Sequence, residues 1–242
     1  MNKEQSVGIL GGMGPFATAA FFRKILDLTP ARKDWDHLHL VIDNHPQIPS
    51  RSRYYLYHEA SPIPEMIRAC QRLQAYPVNF IAIPCNSASA FLRQVQGEVG
   101  VPILNIMQIT ANALHSAYPE VKRVAVMGGV ITYRERIYDE HLAACGMTYV
   151  HHDEKLQESI EKIIEEIKVN NMTNRAVSQT LAAINELKER YRVDGIVLGC
   201  TEFGCLQELE LPLPLMDSST ELARHIVRRV TAERTPDGQP SL

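Results

Sequence analysis

The chain of 242 residues holds no apolar run near the ~18 residues that a membrane-spanning helix requires, so no membrane partner is expected. It holds no basic block either. Lys and Arg number 25 against 28 Asp and Glu, for a formal net charge of −3. That balance lacks the electrostatic footprint of a nucleic-acid binder, and no nucleic-acid partner is expected. The opening residues, MNKEQSVGILGG, lack the long apolar segment of a secretory leader. Cysteine is scarce and odd in number, five in all, which argues against a disulfide scaffold and for a reducing cytoplasm. Metal-ligand spacing is missing too. Cys200 and Cys205 have no spaced His pair nearby, and His151 and His152 are adjacent, so no metal site is expected. An apolar fraction of 45% still supplies an ordinary globular core.

Two apolar runs rich in β-branched residues stand out. Residues 79–86, NFIAIPCN, reach Cys85, and residues 194–201, DGIVLGCT, reach Cys200. Each reads as a buried strand with a cysteine at its carboxyl end. In open α/β sheets that edge is where ligands bind. The halves also begin alike, with SVGILGGMG near the start and RVAVMGGV in mid-chain. Gly11 precedes Cys85 by 74 residues and Gly128 precedes Cys200 by 72. Such pairing is the signature of a duplicated α/β unit. The expected fold is α/β, with two pseudo-dyad-related lobes. Each lobe is a mostly parallel sheet flanked by helices, and the site lies in the cleft between them. Residues 1–106 and 217–242 would form the first lobe, with a returning C-terminal helix, and residues 107–216 the second.

Further strands are expected over residues 7–10, 37–43, 102–105, 123–127, 147–150 and 214–216. Helices are expected over 17–26, 64–73, 87–95, 110–117, 133–144, 156–168, 175–190 and 218–230. Residues 44–53, NHPQIPSRSR, read as a loop, and 235–242 as a disordered tail. Gly12-x-Gly14-x-x-Ala17 fits the loose dinucleotide fingerprint, with Asp43 as the ribose ligand. Asp43 lies 31 residues beyond Gly12, further than the roughly 20 usual for that motif. Pro15 stands where the helix should present N–H groups to phosphate. A tight turn that lets a small ligand approach the backbone is the better reading.

A substrate between Cys85 and Cys200 would have one sulfur on each side of a carbon. With one thiolate and one thiol, the first removes a proton and the second delivers one to the opposite face. The carbon inverts without redox change, and no cofactor is required. Cysteine suits this because its surroundings move its pKa toward neutrality. Asn86, Ser87, Thr201 and nearby backbone N–H groups would supply donors for the carbanion. Cys70 and Cys145 read as small core hydrophobes, and Cys205 has no counterpart in the other half.

At these residues the chain resembles the aspartate/glutamate racemase family of cofactor-independent enzymes, its aspartate branch most, to about Val230. The motifs are GILGGMGP, IPSR, IPCNSA, the Thr132…Tyr138 pair and LGCTE. The resemblance implies a two-lobed fold, a frequent homodimer, and Cys85 and Cys200 as the acid–base pair. Cys200 would serve the L-enantiomer and Cys85 the D-enantiomer. It also implies Asn86, Ser87, Thr132 and Thr201 as donors to the α-carboxylate and amino group. Met13 and Glu202, inside matching motifs, join them as substrate-binding residues. Arg51 matches the family's cation for a side-chain carboxylate, with Lys168 as a weaker candidate and Arg53 as a competitor. The family often reads PCNTAH, where this chain has Ser87 for Thr and Ser89 for His. The implied activity is pyridoxal-phosphate-independent racemisation of aspartate or glutamate. The alternatives are another two-cysteine reaction on small acids, or an acidic-metabolite binding protein without turnover.

Overall fold

In the computed structural model, which describes residues 5–170, 173–205 and 213–232, the apolar runs form two parallel sheets flanked by helices. The tail expected over 235–242 lies outside the described residues. The first half runs β1 (Ser6–Gly11), α1 (Pro15–Leu28), β2 (His39–Asn44), α2 (Arg51–Tyr57), α3 (Ile63–Gln74), β3 (Phe80–Ala82), α4 (Asn86–Ser89), α5 (Leu92–Gln96) and α6 (Ile106–Ala117). The second runs β4 (Arg123–Met127), α7 (Val130–Arg134), α8 (Asp139–Ala144), β5 (Thr148–Tyr149), α9 (Glu154–Asn170), α10 (Asn174–Tyr191), β6 (Gly195–Leu198), β7 (Leu215–Asp217) and α11 (Ser218–Ala232). A 3₁₀ turn, Thr201–Cys205, follows β6.

The sheets repeat one order. The first is β2-β1-β3 and the second β5-β4-β6-β7, with every pairing parallel. Ile9 lies opposite Ala82 as Met127 lies opposite Leu198. Even β7 has a counterpart, because Ile103 bridges Ile81 as Leu215 pairs with Ile196. The strand expected over 102–105 shrinks to that single bridge. Ile81 donates to the Pro102 carbonyl at 2.8 Å and accepts from Leu104 at 2.8 Å. Asn105 then leaves the sheet, and its side chain caps α6 by accepting from Met107 and Gln108.

Central strands buried on both faces read as continuous apolar runs. One core cluster joins Val7, Ile9 and Phe80 of the first sheet to Val124, Val126 and Val197 of the second. Leu222, Ile226 and Val230 of α11 complete it. Burying such side chains stabilises the fold by about 1.5–3 kcal/mol each. α11 lies against α1 and α6, and Lys24 of α1 reaches Asp217, just ahead of α11, at 2.5 Å.

Three further stretches differ from the sequence expectation. The loop over 44–53 ends in α2, whose cap Ser50 accepts from the Arg53 N–H at 3.3 Å. The helix over 87–95 is two short turns, α4 and α5. Phe91 leaves helical geometry between them and meets the Tyr54 ring edge-on at 5.8 Å. The helix over 133–144 starts earlier, at Val130, and breaks where Arg136 takes a left-handed φ of 50°. That break carries Tyr138 into the core, where it is fully buried.

Candidate active site

β3 and β6 are corresponding strands, and each stops just short of a cysteine. Cys85 follows β3 in extended geometry and caps α4. Cys200 leads from β6 into the 3₁₀ turn. Both line one cleft of about 580 Å³. The β1–α1 turn with Met13, the start of α2 with Arg51, Gly129, and one face of α9 complete its walls. Cys85 and Cys200 are free thiols. So are Cys70, buried in the core and pushed up to about 12 by that burial, and Cys145, whose sulfur bonds Asn112 Oδ1 at 3.2 Å.

On the Cys85 side the groups are uncharged. Asn86 is 2% exposed. Its Nδ2 donates to Ser218 Oγ at 2.9 Å and its Oδ1 accepts from the Tyr138 hydroxyl at 2.5 Å. Ser218 in turn donates to the Leu198 carbonyl at 2.8 Å. Asn86 is thereby tied to the second sheet, with one amide hydrogen left over. Burial pushes the Tyr138 phenol well up, so it stays a neutral donor. Ser87 Oγ faces the other half, 3.9 Å from where a Cβ on Gly129 would stand. Ser89 is buried and its hydroxyl donates to the Cys85 carbonyl at 3.1 Å.

On the Cys200 side the groups are charged. Burial pushes the Cys200 thiol up to about 12. The Glu202 backbone N–H, bonded to the sulfur, and the Lys168 ammonium oppose this, while the Glu202 carboxylate and Cys85 reinforce it. Lys168 Nζ lies 2.7 Å from Glu165 Oε1. Burial works to lower the Lys168 pKa, yet the Glu165 bond and the charges of Cys200 and Glu202 together raise it. Burial also raises Glu202, against the pull of Lys168. Thr201 opens the 3₁₀ turn and lines the cleft. Thr132 alone of the expected substrate-binding residues lies behind the lining. It is fully buried, and its hydroxyl has no hydrogen-bond partner among the described residues.

Arg51 points the N-terminal end of α2 into the cleft. Its Nη1 donates to the Pro49 carbonyl at 3.0 Å, and Nη2 reaches the Met13 carbonyl at 3.5 Å. Its Nε is buried without a partner, and no carboxylate pairs with it among the described residues. Arg53 does not compete, because it pairs with Glu59 and lies over the Tyr57 ring. Sequence reasoning missed Glu161 and Glu165, which line the cleft beside Lys168. Their signal was spacing, since residues 161, 165 and 168 share one face of α9. Gln157, one turn earlier, holds Glu161 at 2.8 Å and the Gly128 carbonyl at 3.0 Å.

The nucleotide reading does not survive. Gly12, at φ +88°, gives its N–H to Thr18 Oγ1 at 2.9 Å, and a Cβ there would stand 2.3 Å from the His45 backbone. Asp43 is engaged by Arg72 at 2.9 Å. No helix among the described residues is long and apolar enough to cross a membrane.

The fold and cleft thus define a duplicated α/β protein with two thiols facing a shared cavity. The family model for Asp/Glu/hydantoin racemases matches residues 10–239, and the chain belongs to that family. It is 31% identical over 229 residues to the broad specificity amino-acid racemase RacX of Bacillus subtilis, covering 91% of this chain and 96% of that one. A glutamate racemase from Histophilus somni is 26% identical over 71% of this chain and 64% of its own length. Among solved structures, Picrophilus torridus aspartate racemase matches with a TM-score of 0.81 at 29% identity, over 94% of each chain. A glutamate racemase from Bacillus anthracis shares the fold, with a TM-score of 0.63 at 18% identity over 96% and 84% of the two chains.

Proposed function

We propose that the chain is a pyridoxal-phosphate-independent amino-acid racemase that inverts the α-carbon of aspartate or glutamate, with Cys85 and Cys200 as its two proton-transferring groups. The observation that carries this reading is the pair of free thiols lining one cleft from corresponding strand ends. A thiolate on one side takes the α-proton, and the thiol on the other gives its proton to the opposite face of the carbanion. The two sulfurs exchange protonation states, so the step balances without an oxidant. Burial pushes the Cys200 thiol up to about 12, which favours its protonated form. The side-chain carboxylate would meet Arg51, whose guanidinium pairs with no carboxylate among the described residues, with Lys168 as a second cation. Asn86, Ser87 and Thr201 would supply donors to the α-carboxylate and amino group, and Met13 and Glu202 would shape the walls. Thr132 would join them only from behind the lining, where its buried hydroxyl has no hydrogen-bond partner among the described residues. The relatives named for aspartate, glutamate and broad amino-acid racemisation support the reaction class. The same reading makes the protein a cytoplasmic homodimer, with lobes of residues 1–106 plus 217–242 and residues 107–216.

The test is incubation with each enantiomer of aspartate and glutamate in D₂O, following Cα deuteration by NMR beside optical rotation. Deuterium should enter Cα as rotation decays. Neither exchange nor decay with any of the four would overturn the racemase reading.

A further inference from the structure

The cations and carboxylates of the cleft do not balance toward an acidic ligand. Its lining holds two cations, Arg51 and Lys168, against three carboxylates, Glu161, Glu165 and Glu202. Arg51 is paired with no carboxylate among the described residues, whereas Lys168 is held by Glu165 three residues earlier on α9. The Lys168 and Glu165 side chains are 45% and 70% exposed, so water screens the pair and another carboxylate can exchange into it. Glu202 faces the opposite wall, its Oε1 3.7 Å from where a Cβ on Gly14 would stand.

We propose that Glu165 is a specificity-determining residue: by pairing with Lys168 it withdraws one of the cleft's two cations from the substrate and opens the site to amino acids without a side-chain carboxylate. This rests on the racemase reading above and names its substrate range. A dicarboxylic amino acid, with net charge −1, meets one cation left unpaired among the described residues and a cleft whose remaining charges repel it. An amide or short polar side chain loses nothing by that arrangement. The range therefore extends from aspartate to its uncharged analogues, and Glu165 sets how far. A purely structural alternative exists, because Glu165 and Lys168 also form an ordinary pair one turn apart on a helix.

The experiment compares wild type, Glu165→Gln, Lys168→Met and the double variant, using kcat/KM for L-aspartate and for L-asparagine. Glu165→Gln should raise the aspartate-to-asparagine ratio by about two- to fivefold, the range that an exposed ion pair is worth, through a lower KM for aspartate. At least half of that gain should vanish in the Lys168→Met background. An unchanged ratio would overturn the proposal, since a helix-stabilising role would move both substrates together. A full gain without Lys168 would also overturn it, because Glu165 would then act by bare repulsion. Calorimetric binding of the same two amino acids reads the ratio independently of turnover. A chain that binds both but racemises neither would refute the racemase reading, while the binding ratio still decides the role of Glu165.

Discussion

In the first half, Thr18 packs so closely on Gly11 that a Cβ on that glycine would stand 2.3 Å from its methyl. Its hydroxyl is fully used, accepting from Gly12 at 2.9 Å and donating to the Gly14 carbonyl at 2.9 Å. In the second half, Thr132 packs on Gly128 in the same manner, at 2.7 Å, yet its buried hydroxyl has no partner among the described residues. The cysteines diverge similarly. Cys85 stands among Asn86, Ser87 and Ser89, all uncharged, while Cys200 stands near Glu202 and Lys168. Duplication repeats the strand order and brings two thiols to one cleft. Divergence of the surrounding side chains then leaves charged groups beside Cys200 and uncharged ones beside Cys85.

Removing one thiol tests that comparison most severely. Cys85→Ser or Cys200→Ser should each reduce racemisation in both directions by about 10²–10⁴-fold, the worth of a positioned acid or base. Proton exchange should survive selectively. Cys200→Ser keeps some Cα deuteration of D-aspartate, and Cys85→Ser some of L-aspartate. Unimpaired racemisation by either variant, measured by optical rotation, would end the two-thiol mechanism.

Arg51 tests whether the first half also supplies the substrate's charge partner. Its Nη1 is anchored by the Pro49 carbonyl while Nε has no partner among the described residues. Lysine cannot both hold that anchor and present a planar pair of donors. Arg51→Lys should lower kcat/KM for aspartate by roughly ten- to a hundredfold, about what the 1.5–3 kcal/mol typical of a hydrogen bond to a charged group is worth. Asparagine should lose much less. Equal losses for both substrates would remove Arg51 from that role.

What sequence revealed follows the physics of each element. The two cysteine strands and the glycine turns were legible because parallel strands buried on both faces leave continuous apolar runs. The helix α2 was not, because Pro46 and Pro49 crowd its approach and only seven residues follow the Ser50 cap. So short a helix is stabilised by tertiary packing rather than propensity, here including Tyr54 against Phe91. Cys85, Cys200, Arg51 and Lys168 were legible as cleft residues. Glu161 and Glu165 were not, since acidic residues on an amphipathic helix read as a solvent face. The breaks at Phe91 and Arg136 answer to contacts far along the chain, among them the bond from Tyr138 to Asn86.

The smallest expected effect isolates the electrostatic difference between the thiols. The two enantiomers of an amino acid are equally stable, so kcat/KM must be equal in the two directions at every pH. An asymmetry between Cys85 and Cys200 cannot appear there and must be read on the thiols themselves. The Glu202 carboxylate helps push Cys200 up to about 12, while the Glu202 backbone N–H pulls it down. Glu202→Gln removes the carboxylate and keeps the N–H. The sign follows: with less negative charge nearby, the thiolate is favoured and the Cys200 pKa falls. The pH profile of iodoacetamide alkylation, resolved by peptide mass spectrometry, should therefore move to lower pH at Cys200. At a fixed pH below the midpoint the gain in rate should be less than about tenfold, since Lys168 and burial still act. The Cys85 profile should move less. Equal movement of both profiles would mean that the halves share one electrostatic environment, and an upward movement at Cys200 would reverse the role assigned to Glu202.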